Sequence, residues 1–296
     1  MGIIRSNAVF YLDARSRGVV FDRTLTLGRQ RLYLHTDELR QLADRYRPDL
    51  RNGAADLRYG EPADEFLRRF LDVRDLEALD HSEYEGAALS HDLNQPIPPA
   101  LEQSFDAVID SGTLEHVFNF PAAIANCMNL VRLGGTLFVA SPANNMCGHG
   151  FYQFSPELFF RLFSDANGFA LRRLVLVTHP FPGAELSRHQ TWYDVTDPAA
   201  AGTRAPLMTS RPAFLMMEAQ RVRVVPILAT APQQSDYVAR WQPTAASERP
   251  TGSRAMLKSV FARLPPSVKA SVLGWYQRAF LCRLRNRRLF RRISGS

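Results

Sequence analysis

Between about residues 23 and 225, short apolar runs alternate with segments whose apolar residues recur at helical spacing. The runs that read as strands are RTLTL (23–27), LEALD (76–80), FDAVID (105–110), TLFVAS (136–141), LRRLVLV (171–177) and PAFLMMEAQRV (212–222). A helical segment lies between the first two, because Phe66, Leu67, Phe70 and Leu71 fall on one face. This alternation predicts an α/β fold with six or more strands.

The remaining segments are distinguished by composition. Residues 178–211 contain several prolines and few periodic signals, which indicates an insertion or lid within a domain that spans 1–242. Residues 243–253 are polar and rich in Pro, Ser and Thr, and we interpret them as a linker. After the linker, 254–296 has an apolar stripe at helical spacing and then the run RLRNRRLFRR (283–292). This pattern predicts a basic amphipathic helical tail.

The composition is that of an ordinary globular protein, with 46% hydrophobic and 22% charged residues in a chain of 296. The net charge of +7 is concentrated in the tail, which contains eleven Lys and Arg residues and no Asp or Glu from Arg254 onward. The body is therefore mildly acidic, which disfavours nucleic acid as a partner and assigns any anionic partner, such as an inner membrane surface, to the tail. The absence of an apolar stretch long enough for a membrane span leads us to expect a cytoplasmic protein, with peripheral membrane contact through the tail.

No motif for a hydrolase elbow, P-loop, zinc protease or calcium site occurs in the sequence. The seven histidines are scattered without zinc-ligand spacing, and the three cysteines suit neither a disulfide framework nor a metal site. We therefore expect no metal. Ligands of open α/β sheets bind at the carboxyl ends of the strands, so the residues that follow each strand are the candidates. Asp80 is one of them, because a carboxylate can accept both hydroxyls of a ribose, although acids are also common as caps and turn residues.

Two stretches resemble the class I S-adenosylmethionine-dependent methyltransferases, in particular bacterial methyltransferase-domain proteins. They are LEALDHSEYEGAALSHDLNQPIP (76–98) and FDAVIDSGTLEHVFNFPAAIANCMNLVRLGGTLFVASPAN (105–144), and the likeness extends over roughly 23–222. It implies a Rossmann-like, doubly wound, mostly parallel sheet of about seven strands that binds S-adenosyl-L-methionine. We assign the cofactor-binding residues from this resemblance and from their positions after strands. They are Gly28, Arg29, Asp80, His81, Asp92, Leu93, Asp110, Ser111, Gly112 and Thr113.

The sequence departs from that family at its glycine loop, because LGRQRL contains only Gly28 where G-x-G-x-G is expected. Arg29 and Gln30 bring bulk into a place where glycines let the backbone approach a ligand. Arg29 can fork onto the methionine carboxylate, or it can be a solvated surface arginine. Two interpretations stay open: an active enzyme, and a non-catalytic methyltransferase-fold binding or scaffold protein with a degenerate cofactor loop.

The segment PANNMCGHGFYQFSPELF (142–159) is the candidate substrate wall, and its predicted substrate residues are Asn144, Asn145, Tyr152 and Gln153. Methyl transfer depends on positioning, and a hydroxyl or amine acceptor also needs a base. His149, in a loop flanked by glycines, and His116 are the catalytic candidates, although His116 also suits a structural position at a helix start. We predict methyl transfer to a small-molecule or glycan-type acceptor.

Overall fold

A mixed sheet of nine strands runs through the protein, and a separate pair of short strands lies beside it. The structure, a computed structural model, describes residues 2–83, 86–181, 186, 188–241, 261 and 263–294. The strands are β1 (Gly2–Ile3), β2 (Arg23–Leu27), β3 (Arg31–Leu32), β4 (Asp75–Asp80), β5 (Leu89–Ser90), β6 (Phe105–Ser111), β7 (Val131–Asn144), β8 (Phe169–Thr178), β9 (Thr191–Val195), β10 (Ala213–Arg221) and β11 (Phe290–Ile293). The helices are α1 (Arg5–Ser16), α2 (Thr36–Tyr46), α3 (Asp64–Leu71), α4 (Phe120–Leu130), α5 (Pro156–Leu162), α6 (Pro198–Ala201), α7 (Ser235–Trp241) and α8 (Pro266–Tyr276).

The strand order in the large sheet is β11-β9-β8-β10-β7-β6-β2-β4-β5. The five strands from β7 to β5 are parallel, whereas β10, β8, β9 and β11 each run antiparallel to their neighbours. The α/β class and all six strands predicted from the sequence are confirmed. The expectation of a mostly parallel sheet of about seven strands is corrected, because β9 and β11 extend the antiparallel half to four strands.

The order of the parallel strands reverses at β2. From β2 the chain continues to β4 and β5 on one side, and it then returns to β6 and β7 on the other side. The carboxyl ends of β2 and β6 therefore flank a topological switch point, which is where ligands bind in doubly wound sheets. The residues next to this point are Leu27 and Gly28 after β2, and Ser111 and Gly112 after β6.

Two apolar layers cover the faces of the sheet. One layer contains α4 and α5. The other contains α1, α2 and α3, with Phe66, Leu67, Phe70 and Leu71 buried as their spacing predicts. Helix α1 was not predicted, although most of its side chains are buried. It is attached through β1, which pairs in parallel with β3 just after the first strand of the large sheet.

The C-terminal tail is only partly helical. Helix α8 has no buried residue among those described, whereas Leu289 and Phe290 are fully buried and β11 pairs with β9 in the large sheet. This differs from the expected helical appendage. Arg291 and Arg292 are exposed and charged, so the segment lacks an apolar run. The predicted linker 243–253 lies outside the described residues. Within the described part of the chain, no helix has the length and apolar character to cross a bilayer.

Candidate functional site

A cleft of about 380 Å³ opens at the carboxyl ends of β6 and β7, next to the switch point. Its walls come from the N-terminal segment, from the turn of 3-10 helix that follows β6 and from the loop after β7. The residues that line it are Gly2, Ile4, Asn7, Tyr33, Ser111, Gly112, Glu115, His116, Ala140, Ser141, Pro142, Met146, His149, Leu186 and Phe214. Both predicted catalytic histidines therefore line one cleft, together with Ser111 and Gly112 of the predicted cofactor set.

Helix α1 supplies a polar network beside the cleft. The Tyr11 hydroxyl and the Ser111 Oγ lie 2.8 Å apart in a hydrogen bond, and the Asn7 amide donates to the same Ser111 oxygen at 3.4 Å. Burial raises the pKa of Tyr11 to about 12, so this phenol stays protonated near neutral pH. The network ties α1 to the end of β6 and fixes the orientation of the Ser111 hydroxyl.

Three metal-ligand or acid–base side chains meet at one corner of the cleft. Glu115, His116 and His149 each offer a donor atom, and these atoms all lie within 4.8 Å of one another. The Oε1 of Glu115 is 3.3 Å from the Nε2 of His149. Glu115 is 1% exposed, whereas both histidines are exposed. The corner therefore combines a buried carboxylate with two imidazoles that ligands in the cleft can reach.

Backbone hydrogen bonds bring the two sides of this corner together. The carbonyl of Glu115 accepts from the amide of Phe151 at 2.8 Å and from that of Tyr152 at 3.2 Å. Gly150, between His149 and Phe151 in the chain, has a φ of +83°, and a Cβ there would come within 2.8 Å of the Glu115 carbonyl. Only glycine fits this position, because both the backbone conformation and the close approach exclude a side chain. The Gly150 turn thus sets the distance between His149 and Glu115.

Two of the predicted substrate residues support the loop that carries His149. The Gln153 side chain accepts from the Met146 amide at 2.9 Å, and the Tyr152 hydroxyl donates to the Phe118 carbonyl at 2.6 Å. Neither residue lines the cleft. Their polar groups are bonded within the protein in this structure, and a role for the two residues in substrate binding stays a prediction.

Asn144 and Asn145 lie in a different cavity of about 550 Å³, which Arg278 and Arg283 of the tail also line. The Asn145 side chain donates to the carbonyls of Thr209 and Arg211. These contacts hold the loop before β10, and a role for the two asparagines in substrate binding stays a prediction.

The turn after β2 is held by hydrogen bonds to neighbouring groups of the protein. Gly28 has a φ of +68°, and its amide donates to the Leu79 carbonyl at 2.7 Å, which links the end of β2 to β4. The buried Gln30 side chain donates back to the carbonyls of Leu27 and Gly28. Arg29 pairs with Asp64 on α3 at 2.9 Å. The bulk that replaces the glycine loop is thus bonded to neighbouring protein groups.

Asp80 ends β4, the strand next to β2, and is partly exposed. Its Oδ1 accepts from the His81 amide at 2.6 Å, while no donor among the described residues reaches its Oδ2. Asp92 differs, because its Oδ1 accepts from both the amide and the side chain of Asn94. Leu93 is buried in the core, and its carbonyl accepts from Asn126 of α4. Asp80 therefore keeps an acceptor for a ligand, whereas Asp92 forms a loop turn.

Asp110 stabilises the turn that follows β6. This residue is fully buried, and its Oδ1 accepts from the Thr113 amide at 2.8 Å. Burial, reinforced by the nearby Glu115 carboxylate, raises the pKa of Asp110 well above its ordinary range. The Thr113 hydroxyl donates to the Leu27 carbonyl at 3.2 Å and joins the β6 loop to the end of β2. Asp110 and Thr113 thus shape the turn that places Ser111 and Gly112 in the wall of the cleft.

Four further residues that line the cleft, Asn7, Tyr33, Glu115 and Ser141, are not among the site residues assigned from the sequence, although Glu115 and Ser141 belong to the candidate segments after strands. Glu115 had a signal, because it precedes His116 in the LEH stretch. The contact of Glu115 with His149 spans 34 positions and depends on the Gly150 turn. The N-terminal residues had no signal, since they reach the cleft only through the pairing of β1 with β3.

Neither a protein-family model nor a curated relative matches this sequence. Among solved structures, the chain is similar to a SAM-dependent methyltransferase from Thermotoga maritima, with 15% identity, a TM-score of 0.35, and coverage of 72% of this chain and 89% of that one. It is also similar to the Burkholderia thailandensis 1,6-didemethyltoxoflavin-N1-methyltransferase, solved with S-adenosylhomocysteine, with 12% identity, a TM-score of 0.35, and coverage of 74% and 78%. A branched-chain polyamine synthase from Thermus thermophilus, solved with 5′-methylthioadenosine, has 14% identity, a TM-score of 0.34, and coverage of 78% and 61%.

The chain has a Rossmann-like α/β fold. Two of these proteins are named as methyltransferases and the third as a synthase. Likeness at this identity concerns the arrangement of the sheet, and one sheet can carry several activities.

Proposed function

We propose that this protein is an S-adenosylmethionine-dependent methyltransferase whose acceptor binds in the cleft beside His149. The observation that carries the proposal is the placement of Asp80, an acid with a ligand-accessible Oδ2, at the end of the strand adjacent to β2. In dinucleotide-binding sheets an acid after the second strand accepts ribose hydroxyls, because a carboxylate matches a vicinal diol. Asp80 has this position relative to the switch point.

The residues at the switch point suit such a cofactor. Gly28 and Gly112 adopt positive φ values of 68° and 99°, and Ser111 is small, so the backbone at the ends of β2 and β6 can approach a ligand closely. The Gln30 side chain is buried and bonded to two carbonyls, and it does not project over the turn. S-adenosylmethionine bound here supplies an electrophilic methyl group on a sulfonium sulfur. Asp80, Gly28 and the Ser111-Gly112 turn are the groups that would hold it.

The cleft suits a small molecule or the end of a glycan. Its volume of about 380 Å³ lies in the range of ordinary ligand pockets, and its lining mixes apolar walls with a few polar groups. An acceptor hydroxyl or amine has to lose a proton during methylation. We assign that step to the corner of Glu115, His116 and His149, because it combines a buried carboxylate with reachable imidazoles.

Calorimetry with S-adenosylhomocysteine tests the proposal. We expect the full chain to bind it, and Asp80→Ala to weaken binding by about 1.5–3 kcal/mol, roughly 10- to 100-fold, since a hydrogen bond to a charged group is lost. Asp75→Ala is the matched control, because Asp75 lies at the opposite end of β4 and pairs with Arg23 at the surface. Unchanged affinity in Asp80→Ala removes that residue from the site. No binding at millimolar ligand by the unaltered chain would instead support a scaffold protein with a degenerate loop.

We also propose that the tail contacts an anionic membrane surface. Helix α8 and the turn after it expose Val272, Trp275 and Phe280, among other apolar residues. The segment from Arg254 onward contains eleven basic residues and no acid. Near an anionic leaflet each basic residue contributes about 1 kcal/mol, and exposed aromatic side chains insert at the interface. Charge and apolar exposure together support reversible, salt-sensitive binding.

A further inference from the structure

The corner of Glu115, His116 and His149 has the donor set of a transition-metal site. Two imidazoles and one carboxylate, with donor atoms all within 4.8 Å of one another, line the cleft. His₂Glu sets bind zinc in catalytic sites and leave at least one coordination position for water or substrate. We propose that these three residues hold a divalent transition-metal ion, Zn²⁺ or a chemically similar ion, at the acceptor end of the cleft.

The distance between the donor atoms of Glu115 and His149 suits a metal ion bound by both. Ligand atoms bound to zinc at about 2.0–2.1 Å and at a tetrahedral angle lie roughly 3.4 Å apart. The Oε1 of Glu115 and the Nε2 of His149 are 3.3 Å apart. His116 adjoins Glu115 in the same turn, and its ring centroid lies 5.4 Å from that of His149. Its donor atom lies within 4.8 Å of those of Glu115 and His149, and its exposed imidazole would complete the set by rotating toward the ion.

The charge of the corner gives an independent reason for a cation. Glu115 is 1% exposed, and its Oε2 lacks any hydrogen-bond partner among the described residues. No lysine or arginine in the described ranges forms an ion pair with it. A buried carboxylate without a cation is costly, so a bound dication would stabilise this arrangement. The imidazole donors favour a transition metal over Mg²⁺ or Ca²⁺, which prefer oxygen ligands.

This inference rests on the proposed function for its consequence. The exposed histidines leave the open side of the ion facing the cleft, where an acceptor hydroxyl can coordinate. Coordination lowers the pKa of the hydroxyl, as it does for zinc-bound water. Its O–H bond then breaks and the proton passes to water. The oxygen attacks the methyl carbon, and the C–S bond of the sulfonium breaks with its electron pair left on sulfur.

Titration of the chelator-treated full chain with Co²⁺ alone tests the site without any measurement of activity. We expect one equivalent to bind, with the visible absorption of four- or five-coordinate Co²⁺, and Zn²⁺ to displace it. Glu115→Gln keeps the side-chain shape, and His149→Ala removes one donor. Each is expected to weaken Co²⁺ binding by at least the roughly 10- to 100-fold that loss of an outer-shell partner costs. His91→Gln is the matched control, because His91 bonds to the Gln95 carbonyl and is not part of the cluster.

The inference is overturned if the folded chain shows no saturable Co²⁺ absorption, or if Glu115→Gln and His149→Ala bind Co²⁺ as the unaltered chain does. Circular dichroism establishes that each variant is folded, and His116→Ala replaces a variant that is not. Calorimetry with S-adenosylhomocysteine on the same samples separates the two proposals. Cofactor binding without Co²⁺ binding rejects the metal site alone, whereas Co²⁺ binding without cofactor binding rejects the methyltransferase alone.

Discussion

Phe290 tests whether the C-terminal segment belongs to the folded body. Its side chain is 1% exposed, and it begins β11, whose partner β9 is itself the neighbour of β8. Phe290→Ala removes a buried ring at the point where the tail joins the sheet. Phe280→Ala is the matched control, because Phe280 is the same residue type in the same segment and is 54% exposed.

Truncation of a buried phenylalanine costs about 3–5 kcal/mol, because the apolar transfer energy is lost and a cavity remains. Unfolding entropy is about 2.1 cal/mol/K per residue, so roughly 0.6 kcal/mol corresponds to one degree in a chain of 296 residues. We therefore expect Phe290→Ala to lower Tm by about 5–8 °C. Phe280→Ala is expected to change Tm by no more than about 1 °C, since little packing is lost at an exposed position.

Thermal unfolding of the full chain, followed by circular dichroism at one pH and one concentration, measures both shifts. Similar small shifts for the two variants would refute the reasoning, because they would mean that β11 adds nothing to the sheet. A large shift for Phe280→Ala would show that α8 and its following turn pack against the body, and it would weaken the case for a membrane-facing helix.

Three further predictions concern the site, its pH dependence and the tail. His149→Ala should lower turnover by roughly 100-fold with little change in S-adenosylhomocysteine affinity, and an undiminished rate from pH 6 to 9 would remove it from catalysis. The raised pKa of Tyr11 means that its stabilising contribution is full below pH 10 and is lost as pH rises through about 12. Tyr11→Phe should abolish up to about 3 kcal/mol of that alkaline loss in urea unfolding, and parallel pH profiles would contradict the assignment. Trp275→Ala should reduce co-sedimentation with anionic liposomes at low salt, whereas equal sedimentation by both proteins would exclude insertion of this ring.

The strands that the sequence predicts are those with a local apolar signal. FDAVID (105–110) and TLFVAS (136–141) become buried central strands, and their composition reflects burial on both faces. Strands β9 and β11 were missed because both are short, lie in the outer half of the sheet and bury few of their residues. In β11, two exposed arginines follow the buried Phe290, so the segment has a basic composition and no apolar alternation. The charge of this segment therefore predicts a basic tail, whereas its pairing with β9 makes it a strand of the sheet.

The site was predictable as far as the carboxyl-end rule applies. That rule selects Asp80, Ser111 and His116 from their positions after strands, and the glycine-flanked loop selects His149. It does not indicate which loop residues turn inward. Asn145 satisfies two carbonyls before β10, and the His149 loop reaches Glu115 through the backbone of the Gly150 turn. Such contacts depend on tertiary structure and leave no spacing pattern in the sequence.

The loss of the glycine loop and the structure of the cleft have a common physical basis. After Gly28 the chain does not form a glycine-rich turn but continues into β3, which pairs in parallel with β1. This pairing fixes the start of α1, so that Asn7 and Tyr11 reach the Ser111 hydroxyl at the end of β6. A longer, flexible glycine loop in place of Arg31 and its neighbours would remove the partner of β1. The residues after Gly28 that depart from the glycine loop thus lead into β3, and its pairing with β1 provides the N-terminal wall of the acceptor cleft.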